Sequence, residues 1–435
     1  MRRGITMNLS KAWMKIRDSF WFVPTLYSIA SLLLVVVFHI TDELILSNSN
    51  DKIPEIFIIN EEIAREIYSS LVTAILTMTT ISFSVIMVVL TTYSSQFSPR
   101  TLQDFMQNKV THHILGVFCF GFIFALVNLV LMGKHDTIIG PILMIIISIV
   151  CLAFFIYFIH HAAKWLRVSS LISNIHSDST KVIKDTFAQK EFGEHEFWNQ
   201  VEIDQVRQQR KVRLLATEAG YIQKIEWKSL LEWAKEKDAV IELHEKIGDY
   251  MTKDLPLLTV YRLDESEEMK KINEFIVIGV ERTDVEDIEF IIQKLVEIAV
   301  KAVSPSINDP DTAINCINRI GSMLSDLGKV YKEIQFLTDE RSDLRIIKQV
   351  KRYEYYLYRS FYQILYYGKK DVSVCYSLIE VLYKIALAND GSIRRKLWAF
   401  HYYVMDAIDW DSLLEFDRNH LESIYQKFKS VYTTK

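Results

Sequence analysis

The chain has 435 residues, half of them hydrophobic, and a formal net charge of -4 at pH 7. That length allows two or three domains, and that charge gives no overall basic footprint for a nucleic-acid partner. The four cysteines, Cys119, Cys151, Cys316 and Cys375, have neither metal-ligand spacing nor a disulfide pattern, so buried reduced thiols are expected.

Apolar runs crowd the first 160 residues. The first covers 20–40, with Trp21 and Phe22 placed as interface aromatics. It is too long for a signal-peptide core and no small-residue cleavage site follows, so a retained anchor is expected. Further runs at 67–92, 114–132 and 138–159 meet or approach the roughly 20 residues that cross hydrocarbon. Arg2, Arg3, Lys11, Lys15 and Arg17 precede the first run, and Lys164 and Arg167 follow the fourth. The loop after the first run holds Asp42, Glu43, Asp51, Glu55, Glu61, Glu62 and Glu66 against Lys52 and Arg65. This bias puts both termini in the cytoplasm, with a tight outer hairpin at 133–137.

The second run carries a polar line. At 100° per residue, Thr77, Thr80, Ser84, Thr91, Ser95 and Ser98 fall within roughly 40° of Thr73. Glu62 and Glu66 fall on the same face, while Leu71, Ile75, Met78, Val85, Ile86 and Val89 lie opposite. Hydroxyls and carboxylates are costly in hydrocarbon, so this face meets a neighbouring helix or water. Small polar residues let helices pack closely. Alternatively, copies of the helix surround a water-filled path, with Glu62 and Glu66 as an acidic outer vestibule. Met87 interrupts the line and suits a constriction that closes by dewetting. The helix is expected to run to Ser98, end at Pro99 and place Arg100 at the inner mouth, where a cation suits its dipole. His112–His113 and His160–His161 are adjacent pairs whose members point about 100° apart, which is poor geometry for holding one ion.

The rest reads as cytosolic. A helical connector covers 166–210 and a small α+β or barrel-like module 211–284. Strands are expected at 212–216, 221–225, 239–244, 257–261 and 275–280, with a helix at 226–237 and a charged insert at 264–271. Residues 285–435 read as a helical domain, whose first helix ends near 302. Asp309 suits an N-cap and Pro310 a first helical residue. Asn308 and Asp309 are also conceivable cation ligands. The tyrosine cluster from Tyr353 to Tyr367 suits a helix packed between neighbours. No phosphate-binding loop, nucleophile elbow or zinc helix is present, so neither enzyme chemistry nor a cofactor or metal is expected.

Four stretches resemble a bacterial family of predicted membrane proteins, domain of unknown function 2254. They are Thr91-Thr-Tyr-Ser-Ser-Gln-Phe-Ser-Pro-Arg100, Glu218-Ala-Gly-Tyr-Ile-Gln223, Glu281-Arg-Thr-Asp284 and Ala302-Val-Ser-Pro-Ser-Ile-Asn-Asp-Pro-Asp-Thr-Ala313. The resemblance marks Gly220, Glu281, Arg282, Asn308, Asp309 and Pro310 as motif positions of unassigned role, and implies a bacterial inner-membrane location. The family pattern usually has Gly at Ser306 and a second Arg at Asp284.

The expected architecture is an α-helical membrane domain of four transmembrane helices (1–165), followed by a cytosolic α+β module and a helical C-terminal region. The expected role is a homo-oligomeric, cation-permeable channel or channel-like transport protein lined by Thr73, Thr77, Thr80, Ser84, Met87, Thr91 and Ser95. Its partners are the lipid bilayer, further copies of the chain and inorganic cations. The alternative is a non-conducting scaffold or sensor.

Overall fold

Four long apolar stretches form four long helices in the computed structural model, which describes residues 20–48, 59, 61–106, 108–131, 139–188, 193–263, 268–284 and 286–433. The basic N-terminal tail, the loop at 49–58, the hairpin at 133–137 and part of the charged insert, 264–267, lie outside the described residues. The side chains of Asp42 and Glu43 lie outside them too. The chain divides into two compact units, Met1–Val168 and Ser169–Lys435.

The first unit holds α1 (Phe22–Asn48), α2 (Glu61–Gln96), α3 (Pro99–Met106), α4 (Lys109–Leu131) and α5 (Ile139–Trp165). All but α3 are long and apolar enough to cross a membrane. Helix α4 is central and packs against α1, α2 and α5. Small residues permit this close approach. A Cβ on Gly121 would sit 2.8 Å from Cys151 Sγ and 3.2 Å from side-chain atoms of Ile75 and Ile147. Ser31 Oγ adds a bond from α1 to the Phe120 carbonyl at 2.9 Å.

Helix α2 ends at Gln96, and Pro99 opens α3 instead of merely stopping its predecessor. Proline lacks the amide that a first helical position leaves unused, so it favours a helix start. Ser98 therefore leaves the polar line: it is buried between the helices, and its hydroxyl accepts from Arg100 N at 3.1 Å. Tyr93 donates to the Trp165 carbonyl at 2.8 Å, and Phe105 packs edge-on against Trp165 at 5.5 Å.

The second unit opens with α6 (Val168–Ala188), β1 (Gly193–His195), α7 (Gln200–Gln208), β2 (Lys211–Leu215), β3 (Gly220–Ile225) and α8 (Trp227–Glu236). Then come β4 (Val240–Leu243), β5 (Tyr250–Met251), β6 (Pro256–Tyr261), a 3-10 turn (Glu268–Glu274) and β7 (Ile276–Gly279). Helices α9 (Ile288–Ala302) and α10 (Pro310–Val330) precede β8 (Phe336–Thr338) and β9 (Leu344–Ile347). Helices α11 (Tyr353–Gly368), α12 (Val372–Ala388), α13 (Gly391–Ala407) and α14 (Glu415–Thr433) follow, with a 3-10 turn (Trp410–Ser412) before the last.

A six-stranded sheet runs β1-β8-β9-β4-β6-β2, antiparallel except for the parallel β4–β9 pair, where Ile241 faces Ile346. A three-stranded sheet runs β5-β3-β7. Side chains alternate across β4 as strand geometry requires. Ile241 and Leu243 join Leu230, Trp233, Ile222 and Ile276 in one core between α8 and both sheets. Val240 faces the other way, with Tyr261, Phe336 and Ile347, onto Ile203 and Val206 of α7.

This sheet corrects the expected domain plan. The region from 285 onward is not wholly helical, because β8 and β9 leave it to join β4. The connector contributes β1, paired with β8. A boundary at 284 divides a continuous sheet, because neither half pairs all its strand edges alone.

Candidate functional site

Helical periodicity divides α2 into two faces. Ala64, Tyr68, Ile75, Ser82, Ile86, Val89 and Tyr93 are buried, and α2 packs on α4 and α5. The expected line lies outside that contact. Thr73, Thr77, Thr80, Ser84, Met87, Thr91 and Ser95 are all exposed, as are Glu62 and Glu66 at the first turns. Each hydroxyl donates to the carbonyl four residues back: Thr73 to Ser69 at 3.0 Å, Thr77 to Thr73 at 2.8 Å and Thr80 to Leu76 at 2.9 Å. Ser84 bonds Thr80 at 3.0 Å, Thr91 bonds Met87 at 2.8 Å and Ser95 bonds Thr91 at 2.8 Å. The protons are thus satisfied within the helix, and a hydroxyl that donates in this way keeps the capacity to accept. Met87 and its neighbour Val88 break the line with apolar surface, 60% and 57% exposed.

Arg100 departs from expectation. It is exposed but stands in the first turn of α3, where the helix dipole disfavours a cation, and not at the end of α2. The adjacent histidines diverge as their angle requires: His112 Nε2 meets the Met106 carbonyl at 2.8 Å, and His113 Nδ1 meets Tyr27 OH at 3.2 Å.

The other expected residues lie in the second unit. Glu281 is exposed, and its carbonyl accepts from Gln223 Nε2 at 2.6 Å. Arg282 forks between Asp287 and Glu289, reaching Glu289 Oε2 at 3.1 Å. Glu289 also receives Lys351 at 2.5 Å, Arg359 at 3.0 Å and Tyr355 OH at 3.0 Å. Burial alone would raise its pKa, but Lys351 and then Arg282 and Tyr355 overcome that and hold it at about 2. Asp287 additionally caps α9 by accepting from Phe290 N at 3.1 Å. Gly248, at φ +89°, lies against this pair, where a Cβ would meet both Asp287 and Arg282. Asp284 pairs with the buried Lys294 at 3.0 Å. These ionised, mutually paired groups suit fastening of the β7 exit to α9 and α11 better than proton transfer near neutral pH.

Gly220 serves close packing, since a Cβ there would lie 2.5 Å from the Gly279 carbonyl oxygen on β7. Asn308 adopts φ +50°, a conformation that asparagine tolerates. Asp309 caps α10 through Thr312 N at 3.1 Å and Thr312 Oγ1 at 2.6 Å, and Pro310 is the first residue of that helix. Both Asp309 oxygens are thus engaged in the cap. Ser306 does not take the left-handed conformation that glycine would favour, and its hydroxyl lies 3.2 Å from that of Ser304.

Sequence reasoning missed Lys351 and Arg359, and it read Glu289 only as charge near a helix start, Tyr355 only as part of a packed tyrosine cluster and Gly248 only as a turn. The available signal was a charge on an apolar helix: Glu289 and Lys294 interrupt the buried run of α9.

The family of predicted membrane proteins DUF2254 matches residues 17–384, which takes in all four long apolar helices, the α2 line and the Glu289 cluster. The chain belongs to DUF2254. Uncharacterized proteins of Mycobacterium tuberculosis and Mycobacterium bovis are each 25% identical to it over 321 residues, or 70% of this chain. The chain spans about 60% of the length of these curated relatives. No solved structure matches it. The DUF2254 match ends within α12.

Proposed function

We propose that this DUF2254 protein is a non-enzymatic, cation-permeable channel or channel-like transport protein, assembled from several copies whose α2 helices surround the path. The supporting observation is the exposed hydroxyl line on α2, on the side opposite its packed face. Oxygen lone pairs along such a line coordinate partly hydrated cations. Glu62 and Glu66 concentrate cations at the outer mouth. Met87 narrows the path, Arg100 lies near its inner end, and the second unit, in the cytoplasm of a bacterium, biases opening. Purified protein in liposomes is expected to pass cations under voltage, tension or a pH step. Thr77→Val and Ser84→Ala are expected to change the conductance. Silence under all three stimuli, or conductance indifferent to both substitutions, overturns the reading.

One observation favours a second reading, a non-conducting membrane scaffold or sensor. The back-bonded hydroxyls leave the α2 face satisfied, so it can also pack dry against another helix. In that case the same substitutions shift only assembly stability, by about 1 kcal/mol each.

A further inference from the structure

The second unit carries a half-open cavity of about 540 Å³, within the range of small-molecule sites. Ile225, Ile247, Ile334 and Leu337 give it an apolar side. Trp227 and Lys348 stand together in its wall, with the Lys348 ammonium 5.0 Å from the centre of the indole ring. Other inward-lying cations of this unit have carboxylates: Arg282 has Asp287, Lys294 has Asp284, Arg345 has Asp339 and Lys351 has Glu289. Lys348 makes no such ion pair among the described residues, and the carboxylate that favours its charge is Glu194, another residue of the cavity wall. Burial lowers its pKa, the expected sign for a cation lacking a counter-charge.

The wall leaves room for an anion. Glu226 pairs with Lys224 and Asp287 with Arg282, so neither opposes one strongly. Burial raises the pKa of Glu286 and of Glu245, the latter with help from Asp249. Helix α8 begins in the wall at Trp227, and its cap residue, Glu226, makes no side-chain cap bond. By contrast α7, α9, α10, α12 and α13 are capped by Asn199, Asp287, Asp309, Asp371 and Asp390. The first-turn amides of α8 thus add positive potential on the same side as Lys348.

We propose that this cavity binds an organic phosphate of about nucleotide size, its phosphate held by Lys348 and its less polar part against the isoleucine side. The site is independent of conduction by the first unit. The compound supplies the charge that Lys348 lacks, and a charge-assisted hydrogen bond in a partly dry pocket is strong.

The full chain in lipid nanodiscs tests this by calorimetry with ADP, inorganic pyrophosphate and adenosine. Saturable ADP binding is expected, with competition by pyrophosphate and a much weaker response to adenosine. Lys348→Met is expected to weaken ADP binding by about ten-fold or more, and Lys348→Arg to retain most of it. On the unaltered protein, ADP is expected to slow acetylation of Lys348 while leaving the exposed Lys370 unchanged. No saturable binding of ADP or pyrophosphate up to about 1 mM overturns the proposal. So does adenosine binding as tightly as ADP, ADP affinity indifferent to Lys348→Met, or unprotected Lys348.

Discussion

Glu289 sits with its side chain 5% exposed, inside a ring of Lys351, Arg359, Arg282 and the Tyr355 hydroxyl. Its folded pKa of about 2 lies below the ordinary 4.5. A depressed carboxylate contributes stability that is fully present above the ordinary value and is lost as pH falls toward the folded one. The second unit should therefore weaken between about pH 5 and pH 2, by on the order of 3 kcal/mol from this group. Glu289→Gln leaves three cations facing a neutral amide and is expected to cost about 3 kcal/mol at neutral pH. Denaturant unfolding followed by circular dichroism checks both points: the variant should be weaker at pH 7 and lose less than the parent on acidification. An unchanged acid dependence would show that Glu289 is not the group responsible. Asp309 offers a smaller test. Asp309→Ala should cost about 1 kcal/mol through the lost α10 cap, and Asp309→Asn should keep most of it. Equal losses in the two variants would refute the capping role.

At the scale of elements, the long periodic segments were readable and so were the short strands β2, β3, β4, β6 and β7, whereas β1, β8 and β9 were not. The four apolar runs and α9 announce themselves because many turns repeat one pattern. The α2 line was readable for the same reason, since six hydroxyls recur at helical spacing and all six are exposed. Ser98 failed because periodicity says nothing about where Pro99 starts a new helix. Strands β8 and β9, three and four residues long, lie between strong helical patterns, and the pairing of β9 with β4 spans about a hundred positions of sequence. Glu289 was hidden likewise, because its partners Lys351 and Arg359 lie 62 and 70 residues away. In the first unit, α2, α4 and α5 converge at Gly121. Gly121→Leu must push Ile75, Ile147 or Cys151 aside, and is expected to lower the thermal midpoint of the detergent-solubilised protein by several degrees. Gly121→Ala should do so less. A leucine variant that melts like the parent would contradict close packing at this point.

At the scale of the whole molecule, the two units draw stability from different sources. In the first, four apolar helices leave large hydrophobic side chains such as Leu33, Val36, Ile149 and Ile156 exposed, a surface that water does not tolerate in bulk. The second buries its own core between α8 and two sheets, and a further set of apolar residues between the six-stranded sheet and α7. Its charge cluster closes on itself, since Arg282, Asp287, Glu289, Lys351 and Arg359 all lie beyond Val168. A chain comprising 169–435 alone is therefore expected to fold, to unfold cooperatively, and to show the acid weakening assigned to Glu289. Guanidinium titration of that fragment by circular dichroism and tryptophan fluorescence should give coincident transitions. Non-coincident transitions, or a fragment recovered only as aggregate, would mean that the second unit depends on the first for its core. Coincidence in the parent combined with a smaller acid response in Glu289→Gln would assign that share of the unit's pH sensitivity to this carboxylate, beside Glu242 and Asp339, which their ion pairs also hold low.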